Sequence, residues 1–346
     1  MRVLIVGGTG LISTAISTQL LASRPDVELW HFNRGKSGPK LPLPGEPRLI
    51  TGDRKNAADF VAKLREGPAF DVVIDMIGFL PEEAASLVDA CRGRAKQVIF
   101  CSTVDVYQKP ASQYPITEAE PHAGLNDYGK AKVQCERILR EAHERGDFAL
   151  TVIRPAHTYG EGGGIINSLL GNRTYLDRIK KGKPVIVHGD GSSLWVSCHV
   201  DDVARAFVNA IGNAKTFGQS YHTAGEEWMT WNAYTDKISL AAGLPPPRKI
   251  YIPSDVLMRV SPQRAGWCQT NFYLHNIFDN SRAREDLGFR YTIPFLEGMK
   301  RTIKWIEEHK AIDNSDEDVF YDTLVQAWER ASDSVAAALK GIPELK

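Results

Sequence analysis

The chain has 346 residues, 43% of them hydrophobic and 24% charged, which is enough to bury a large core as one body or as two lobes. Its 42 basic and 42 acidic side chains cancel, which argues against a broad nucleic-acid or anionic-membrane surface, where binding rests on an excess of Lys and Arg. The 5 cysteines are scattered without a CxxC pair, so they are expected as reduced thiols and not as a disulfide frame or zinc site.

The first strand pattern, Val3 to Val6, begins almost at the first residue, and no apolar run reaches the length of a membrane span. The expectation is a cytoplasmic protein without a leader or membrane anchor. Gly7-Gly8-Thr9-Gly10-Leu11-Ile12-Ser13 follows the strand at once, and a helix pattern (Leu11, Ile12, Ala15, Ile16, Leu20) starts inside it. A strand, a glycine turn and a helix N-terminus let the backbone approach a pyrophosphate and offer it free N–H groups. Gly7, Gly10, Leu11 and Ile12 are therefore candidate cofactor residues. Ser13 stands where a third glycine is usual, and the helix is expected to pack slightly further out to admit it.

Val27 to Phe32 reads as the second strand and ends at Asn33-Arg34-Gly35-Lys36. An acid at this place takes ribose hydroxyls, whereas an Arg holds a 2′-phosphate. With Arg34 and Lys36 present and no acid, NADP is favoured over NAD. A third strand runs from Arg48 to Asp53, a fourth from Phe70 to Ile74 ahead of Ile77-Gly78, and a fifth from Gln97 to Cys101 ahead of Ser102. Helix patterns lie between them, at about Ala57 to Arg65 and Pro81 to Cys91. The alternation predicts an α/β fold with a doubly wound parallel sheet, whose ligands lie at the carboxyl ends of the strands. Gly7, Arg34, Asp53, Gly78 and Ser102 all fall at such ends.

The chemistry is carried by Thr103, Tyr128 and Lys132. The last two are four residues apart on a helix predicted from Asp127 to about Arg145, so they share a face. A free tyrosine has a pKa near ~10. An ammonium at ~4 Å and an effective dielectric of ~20 is worth about 4 kcal/mol, or roughly three pKa units. The pairing predicts a Tyr128 phenol brought toward a working pH for proton transfer. Thr103 is placed to donate a hydrogen bond to the oxygen being interconverted.

These features resemble the extended short-chain dehydrogenase/reductases, the NAD(P)-dependent epimerase/dehydratase group. The resemblance covers roughly residues 1 to 305 and includes Gly52-Asp53, Ser102 to Tyr107, Pro115-Ile116-Thr117-Glu118 and the Tyr128/Lys132 pair. It continues through Ile153 to Gly160, His199 to Ala204 and Asp279 to Phe289. It implies a Rossmann-type domain with a smaller C-terminal α/β substrate lobe, and a homodimer built through sheet-flanking helices. It also implies Asp53 at the adenine, Lys132 at the nicotinamide ribose and Pro155 beside the nicotinamide. Asn33, Ile77 and His157 complete the expected cofactor set, with His157 open to a substrate or structural role.

Nucleotide-sugar enzymes of this group grip the substrate diphosphate with an Arg where this chain has Trp195. A second Arg normally falls in the stretch that here reads Cys268-Gln269-Thr270-Asn271, and Arg264 is the nearest basic residue. Charged bidentate contacts are the strong ones for a diphosphate. The expected substrate is instead a sugar, sugar acid, glycoside or small polyol, contacted by Asp105, Gln108, Tyr159, Trp195 and Trp267. The reaction stays open between a dehydrogenase or reductase and an epimerase. A dehydratase would use Asp105, two residues past Thr103 on the same side of an extended chain. A non-catalytic RNA-binding relative of the fold is a further alternative, against which the intact Thr103/Tyr128/Lys132 set and the zero net charge weigh. No His/Cys/carboxylate cluster has metal-ligand spacing.

Beyond Gly160 the alternation breaks. Helix patterns run over 165–181, 200–211, 231–242, 254–260, 282–287 and 294–309, with short strands at 185–188 and 195–198. The nucleotide domain is expected over 1–155 with a returning segment at about 196–224, and the second lobe over 156–195 and 225–346. His199 is read as structural, with Asp201 or Asp202 capping the helix that follows. Val319, Phe320, Leu324, Trp328, Val335 and Leu339 predict an amphipathic tail helix that packs on the second lobe or a second subunit.

Overall fold

The run Val3 to Val6 is wholly buried because strand β1 (Arg2–Val6) lies in the middle of a sheet covered on both faces. The computed structural model describes residues 1–124, 126–170 and 173–343. With β2 (Glu28–Asn33), β3 (Arg48–Thr51), β4 (Phe70–Asp75), β5 (Ala95–Cys101), β6 (Ala149–Pro155) and a last strand, Ser220–Thr223, it forms a seven-stranded parallel sheet. The spatial order is Ser220–Thr223, β6, β5, β4, β1, β2, β3. The direction of winding reverses between β1 and β4, which pair in register from Val3 opposite Val72 to Val6 opposite Asp75. A doubly wound sheet leaves its ligand crevice at that switch point.

Helices α1 (Leu11–Ser23) and Val200–Ala210 cover one face, burying Ile16, Leu20, Val203 and Phe207 against Ile5 and Ile74. Helices α2 (Ala57–Glu66), α3 (Pro81–Cys91) and α4 (Asp127–Glu144) cover the other, burying Phe60, Leu87 and Leu139 against Leu4, Val73 and Val98. The architecture is the Rossmann type. A separate aromatic-rich core of Trp195, Trp231, Tyr234, Phe272, Phe295 and Tyr321 supports the second lobe.

Three expectations are corrected here. The helix predicted over 165–181 is confined to Tyr175–Lys180, while positions 171 and 172 lie outside the described residues. Its apolar spacing reflects burial of Leu169 in the irregular segment ahead of this helix and of Tyr175 and Leu176 in its first turn. Asn167 accepts from the Leu169 N–H at 3.0 Å and the Ser168 hydroxyl accepts from the His188 N–H at 3.2 Å, local bonds that compete with a helix. The cap of the helix after His199 is His199 itself, whose Nδ1 accepts from the Asp201 N–H at 3.2 Å. The tail helix Val319–Leu339 packs on the second lobe as expected, by Leu324 and Trp328 together with Tyr321 and Val325, but Val319, Phe320, Val335 and Leu339 face solvent. Residues 344–346 of that tail lie outside the described residues.

Candidate active site

A cavity of about 700 Å³ runs along the carboxyl ends of the strands, from Arg34 and Asp53 past the glycine turn to Thr103 and Tyr128. Gly7 has φ +87°, a left-handed conformation, and a Cβ there would lie 2.5 Å from Ile77 Cγ2. A Cβ at Gly8 would lie 2.3 Å from the His31 ring. Gly8→Ala is therefore expected to overpack this contact, lowering stability by about 1–3 kcal/mol and weakening nucleotide binding, as read by thermal melts with and without cofactor. Gly10 caps α1 without a side-chain bond, and the first turn carries no acid, so its leading N–H groups are left for an anion. Ser13 is accommodated with its hydroxyl buried, donating to the Gly7 carbonyl at 2.6 Å. Ser17 donates to the Ser13 carbonyl at 2.9 Å and meets His31 Nε2 at 2.8 Å, which ties the turn to β2.

At the far end of this cavity, Asn33 Oδ1 accepts from the Gly35 N–H at 2.8 Å and shapes the turn that presents Arg34 and Lys36. Asp53 lines the wall and accepts from the Lys55 N–H at 3.0 Å. Its neighbour Arg54 is buried against Asp75 at 3.1 Å, and Asp75 in turn accepts from the Ile77 N–H at 3.0 Å. Ile77 thereby reaches the cavity, and Gly78 is required beside it, since a Cβ would lie 2.7 Å from Asp75 Oδ2.

At the near end, Asn126 caps α4 by accepting from the Gly129 N–H at 2.7 Å, which fixes the turn carrying Tyr128. The expected effect of Lys132 on that phenol is not what the structure holds. The Lys132 ammonium donates to the Gly78 and Cys101 carbonyls at 2.9 and 2.7 Å and sits between the Phe79 and Phe100 rings. Burial pushes the Tyr128 phenol well above its ordinary value, Cys101 and Asp105 add to the rise, and a hydrogen bond with Thr103 only partly opposes it. Ser102 borders the cavity, but its hydroxyl donates away from it, to Glu136 Oε1 at 2.5 Å.

A second cavity of about 290 Å³ adjoins the first, and Thr103, Pro155 and Ala156 border both. Asp105, Trp195 and Trp267 line it, as expected substrate contacts. His157 stands here and not in the nucleotide cavity; its Nδ1 meets Ser197 Oγ at 2.8 Å, and burial lowers its pKa to about 4, leaving a neutral ring. Two expected contacts are absent from it. Gln108 borders neither cavity, and its N–H donates to the Pro121 carbonyl at 2.8 Å. Tyr159 is fully buried in the second core, its hydroxyl 3.3 Å from the Phe295 carbonyl. Asp105 is not on an extended chain beyond Thr103: residues Val104–Val106 form a one-turn 3₁₀ helix with Thr103 as its cap. The sequence reading overlooked Lys109, Asn271 and Asn276 around Asp105, and Phe79 beside Tyr128. Lys109 lies four residues from Asp105, and that spacing was the available signal.

The model of the family described as NAD dependent epimerase/dehydratase matches residues 3–223. The chain belongs to this family. Among curated relatives, it is 30% identical to the chloroplast stem-loop binding protein of 41 kDa b from Arabidopsis thaliana over 72% of this chain, and spans 65% of that protein's length. It is 28% identical to 2′-dehydrokanamycin reductase from Streptomyces kanamyceticus, over 71% of this chain and 68% of that one. Among solved structures, UDP-glucose 4-epimerase from Bifidobacterium longum, with NAD+ and UDP, superposes with a TM-score of 0.72 at 21% identity. That alignment covers 90% of this chain and 99% of the epimerase, and at this identity it speaks for the fold.

Proposed function

We propose that this member of the epimerase/dehydratase family is a nicotinamide-dependent oxidoreductase. Its substrate is a sugar or sugar-like molecule without a diphosphate, acted on at a hydroxyl or carbonyl carbon. The observation that carries the reading is the meeting of the two cavities at Thr103, with Tyr128 beside it. The larger cavity has the fit for a dinucleotide: a glycine cradle that a Cβ would fill, an uncapped helix N-terminus, and open cations at its far end. When bound there, a nicotinamide supplies the hydride acceptor or donor. Thr103 orients the reacting oxygen and Tyr128 gives or takes its proton. Lys132 holds the Gly78 and Cys101 carbonyls in place under the ribose end.

The smaller cavity favours a sugar without phosphate groups over a nucleotide sugar. Among the described residues no Lys or Arg lines it, Trp195 offers an aromatic wall, and Arg264 is paired with Asp318 at 2.9 Å. The similarity to a reductase named for 2′-dehydrokanamycin supports the same choice, and supports net reduction or oxidation over epimerisation. We place the nucleotide domain at 1–155 with 196–224 and the substrate lobe in the rest, and expect a cytoplasmic homodimer.

Arg34 and Lys36 border the nucleotide cavity, and Arg34 has no hydrogen-bond or ion-pair partner among the described residues, which supports NADP over NAD. Fluorescence titration is expected to show tighter binding of NADPH than NADH. Arg34→Ala should weaken NADPH by about tenfold or more and leave NADH nearly unchanged, as loss of a charged hydrogen bond predicts. A nicotinamide retained through desalting would move the reading to an epimerase. Failure to bind either cofactor would overturn the enzyme reading in favour of an RNA-binding protein, a role that the name of the stem-loop relative brings forward and that salt titration would expose.

A further inference from the structure

Lys109 is buried, its side chain 3% exposed, and takes no part in the proposed relay. Its ammonium meets Asn271 Oδ1 at 2.6 Å, Asn276 Oδ1, and Asp105 Oδ1 at 3.5 Å. Three acceptors engage its three N–H groups, so none is left for a ligand. The Asn271 amide donates to the same Asp105 oxygen at 2.8 Å. The Asn276 amide anchors the arrangement by donating to the Asn271 and Leu274 carbonyls at 3.0 and 2.9 Å.

One oxygen of Asp105 is thus held from behind, while Oδ2 has no hydrogen-bond partner among the described residues. Asp105 lines the smaller cavity next to Thr103. Its main chain is wedged against the first turn of α4, where a Cβ at Gly129 would lie 2.4 Å from the Asp105 carbonyl oxygen. The carboxylate is therefore fixed beside the Tyr128 turn. Among the described residues it is the only formal charge in the cavity lining, set among Trp195, Trp267, Phe272 and Phe278. A carboxylate at such a wall persists because Lys109 compensates it from behind.

We infer that Lys109, Asn271 and Asn276 hold Asp105 as a specificity determinant, with Oδ2 accepting a hydrogen bond from a hydroxyl or protonated amine on the substrate carbon next to the reacting one. The inference rests on the function proposed above and deepens it. The substrate class it names is a neutral or amino sugar with a donor at that carbon. A phosphate or carboxylate there would face Asp105 directly and be rejected by like charge.

The test is calorimetric titration of the full chain at saturating NADP+ with methyl hexopyranosides of gluco, galacto and manno configuration, then with monodeoxy and amino-deoxy derivatives of the one that binds best. In the wild type, deleting the hydroxyl at one ring position is expected to weaken binding about tenfold or more, the size of a charged hydrogen bond. In Asp105→Asn that difference should shrink to within about threefold, and any advantage of the amine at the same position should vanish. Asp105→Asn with Lys109→Met, which removes both charges together, serves if the single variant does not fold. NADP+ affinity should stay within about twofold in these variants, since Asp105 does not border the nucleotide cavity. A uniform loss across all derivatives would make Asp105 a structural residue and overturn the inference. So would tighter binding of UDP-glucose than of the methyl glycosides, or no glycoside binding by protein that still binds NADP+. Loss of NADP+ binding by the wild type would instead overturn the oxidoreductase reading itself.

Discussion

Tyr128→Phe is expected to lower kcat by about 10²–10⁴-fold, the usual range for losing a positioned proton donor, with nicotinamide affinity within about twofold of the wild type. The phenol is half-buried and held protonated through the neutral range, because desolvation and the nearby Asp105 charge outweigh the Thr103 hydrogen bond. In the direction of carbonyl reduction this is the working form, since the nascent alkoxide needs a proton. Reduction should therefore be level across neutral pH and decline only as the phenol titrates. Oxidation needs the phenolate, so its kcat should climb by about tenfold per pH unit over the same range. Steady-state rates in both directions between pH 6 and 10 would check the sign. A Phe variant that keeps more than about a tenth of the rate would mean that the proton comes from elsewhere. Lys132→Met makes a useful contrast. It leaves the Gly78 and Cys101 carbonyls without their buried donor, so it should lower the melting temperature as well as the rate.

The parts of this site that could be read from the chain are those whose causes are local. A short apolar run followed by glycines and a helix pattern permits few structures, and β1, its turn and α1 fall where the pattern puts them. The strand ends follow for the same reason. What could not be read depends on distant partners. Gly8 is needed because His31 arrives from the next strand. Tyr159 lies two residues past His157 in the short strand His157–Tyr159, but its ring packs against Phe295 in the second core and does not border the cavity. Lys109 resembles an ordinary surface partner for Asp105 at four residues' spacing. Its burial is set by Asn271 and Asn276, 162 and 167 residues further on. Helix spacing and charge pair Lys132 with the tyrosine in the sequence, whereas two carbonyls from β5 and the loop after β4 claim its protons. The periodicity of 165–181 reflects burial, but helix forms only at Tyr175–Lys180, because Asn167 and Ser168 divert the backbone ahead of it.

Glu136→Gln is expected to cost about 3–5 kcal/mol of folding stability, since it strands a buried guanidinium. Glu136 lies four residues beyond Lys132 and eight beyond Tyr128 on α4, so the three share a face. Its carboxylate takes Arg154 Nε at 2.9 Å and Nη2 at 2.6 Å, with side chains 2% and 1% exposed. Arg154 Nη1 donates to the Tyr107 hydroxyl at 2.7 Å, and that hydroxyl meets His222 Nε2 at 2.5 Å. The network thus pins α4 to β5 through Ser102, to β6 through Arg154 and to the strand Ser220–Thr223 through His222. Urea unfolding at pH 7 would read the loss. The double variant with Arg154→Met should recover part of it, because no buried charge is then left alone. The Arg154 guanidinium and the Ser102 hydroxyl hold the Glu136 carboxyl below its ordinary value of 4.5, against the opposing effect of burial. A depressed carboxyl contributes in full above its unfolded value and loses that contribution as pH falls through the folded one. The stability gap between wild type and Glu136→Gln should therefore be constant near neutrality and narrow progressively below about pH 4.5. If the gap at pH 7 is under about 1 kcal/mol, α4 is held by its apolar face alone. A large gap accompanied by a fall in kcat, with cofactor still bound, would tie the placement of Tyr128 to this buried pair two turns away.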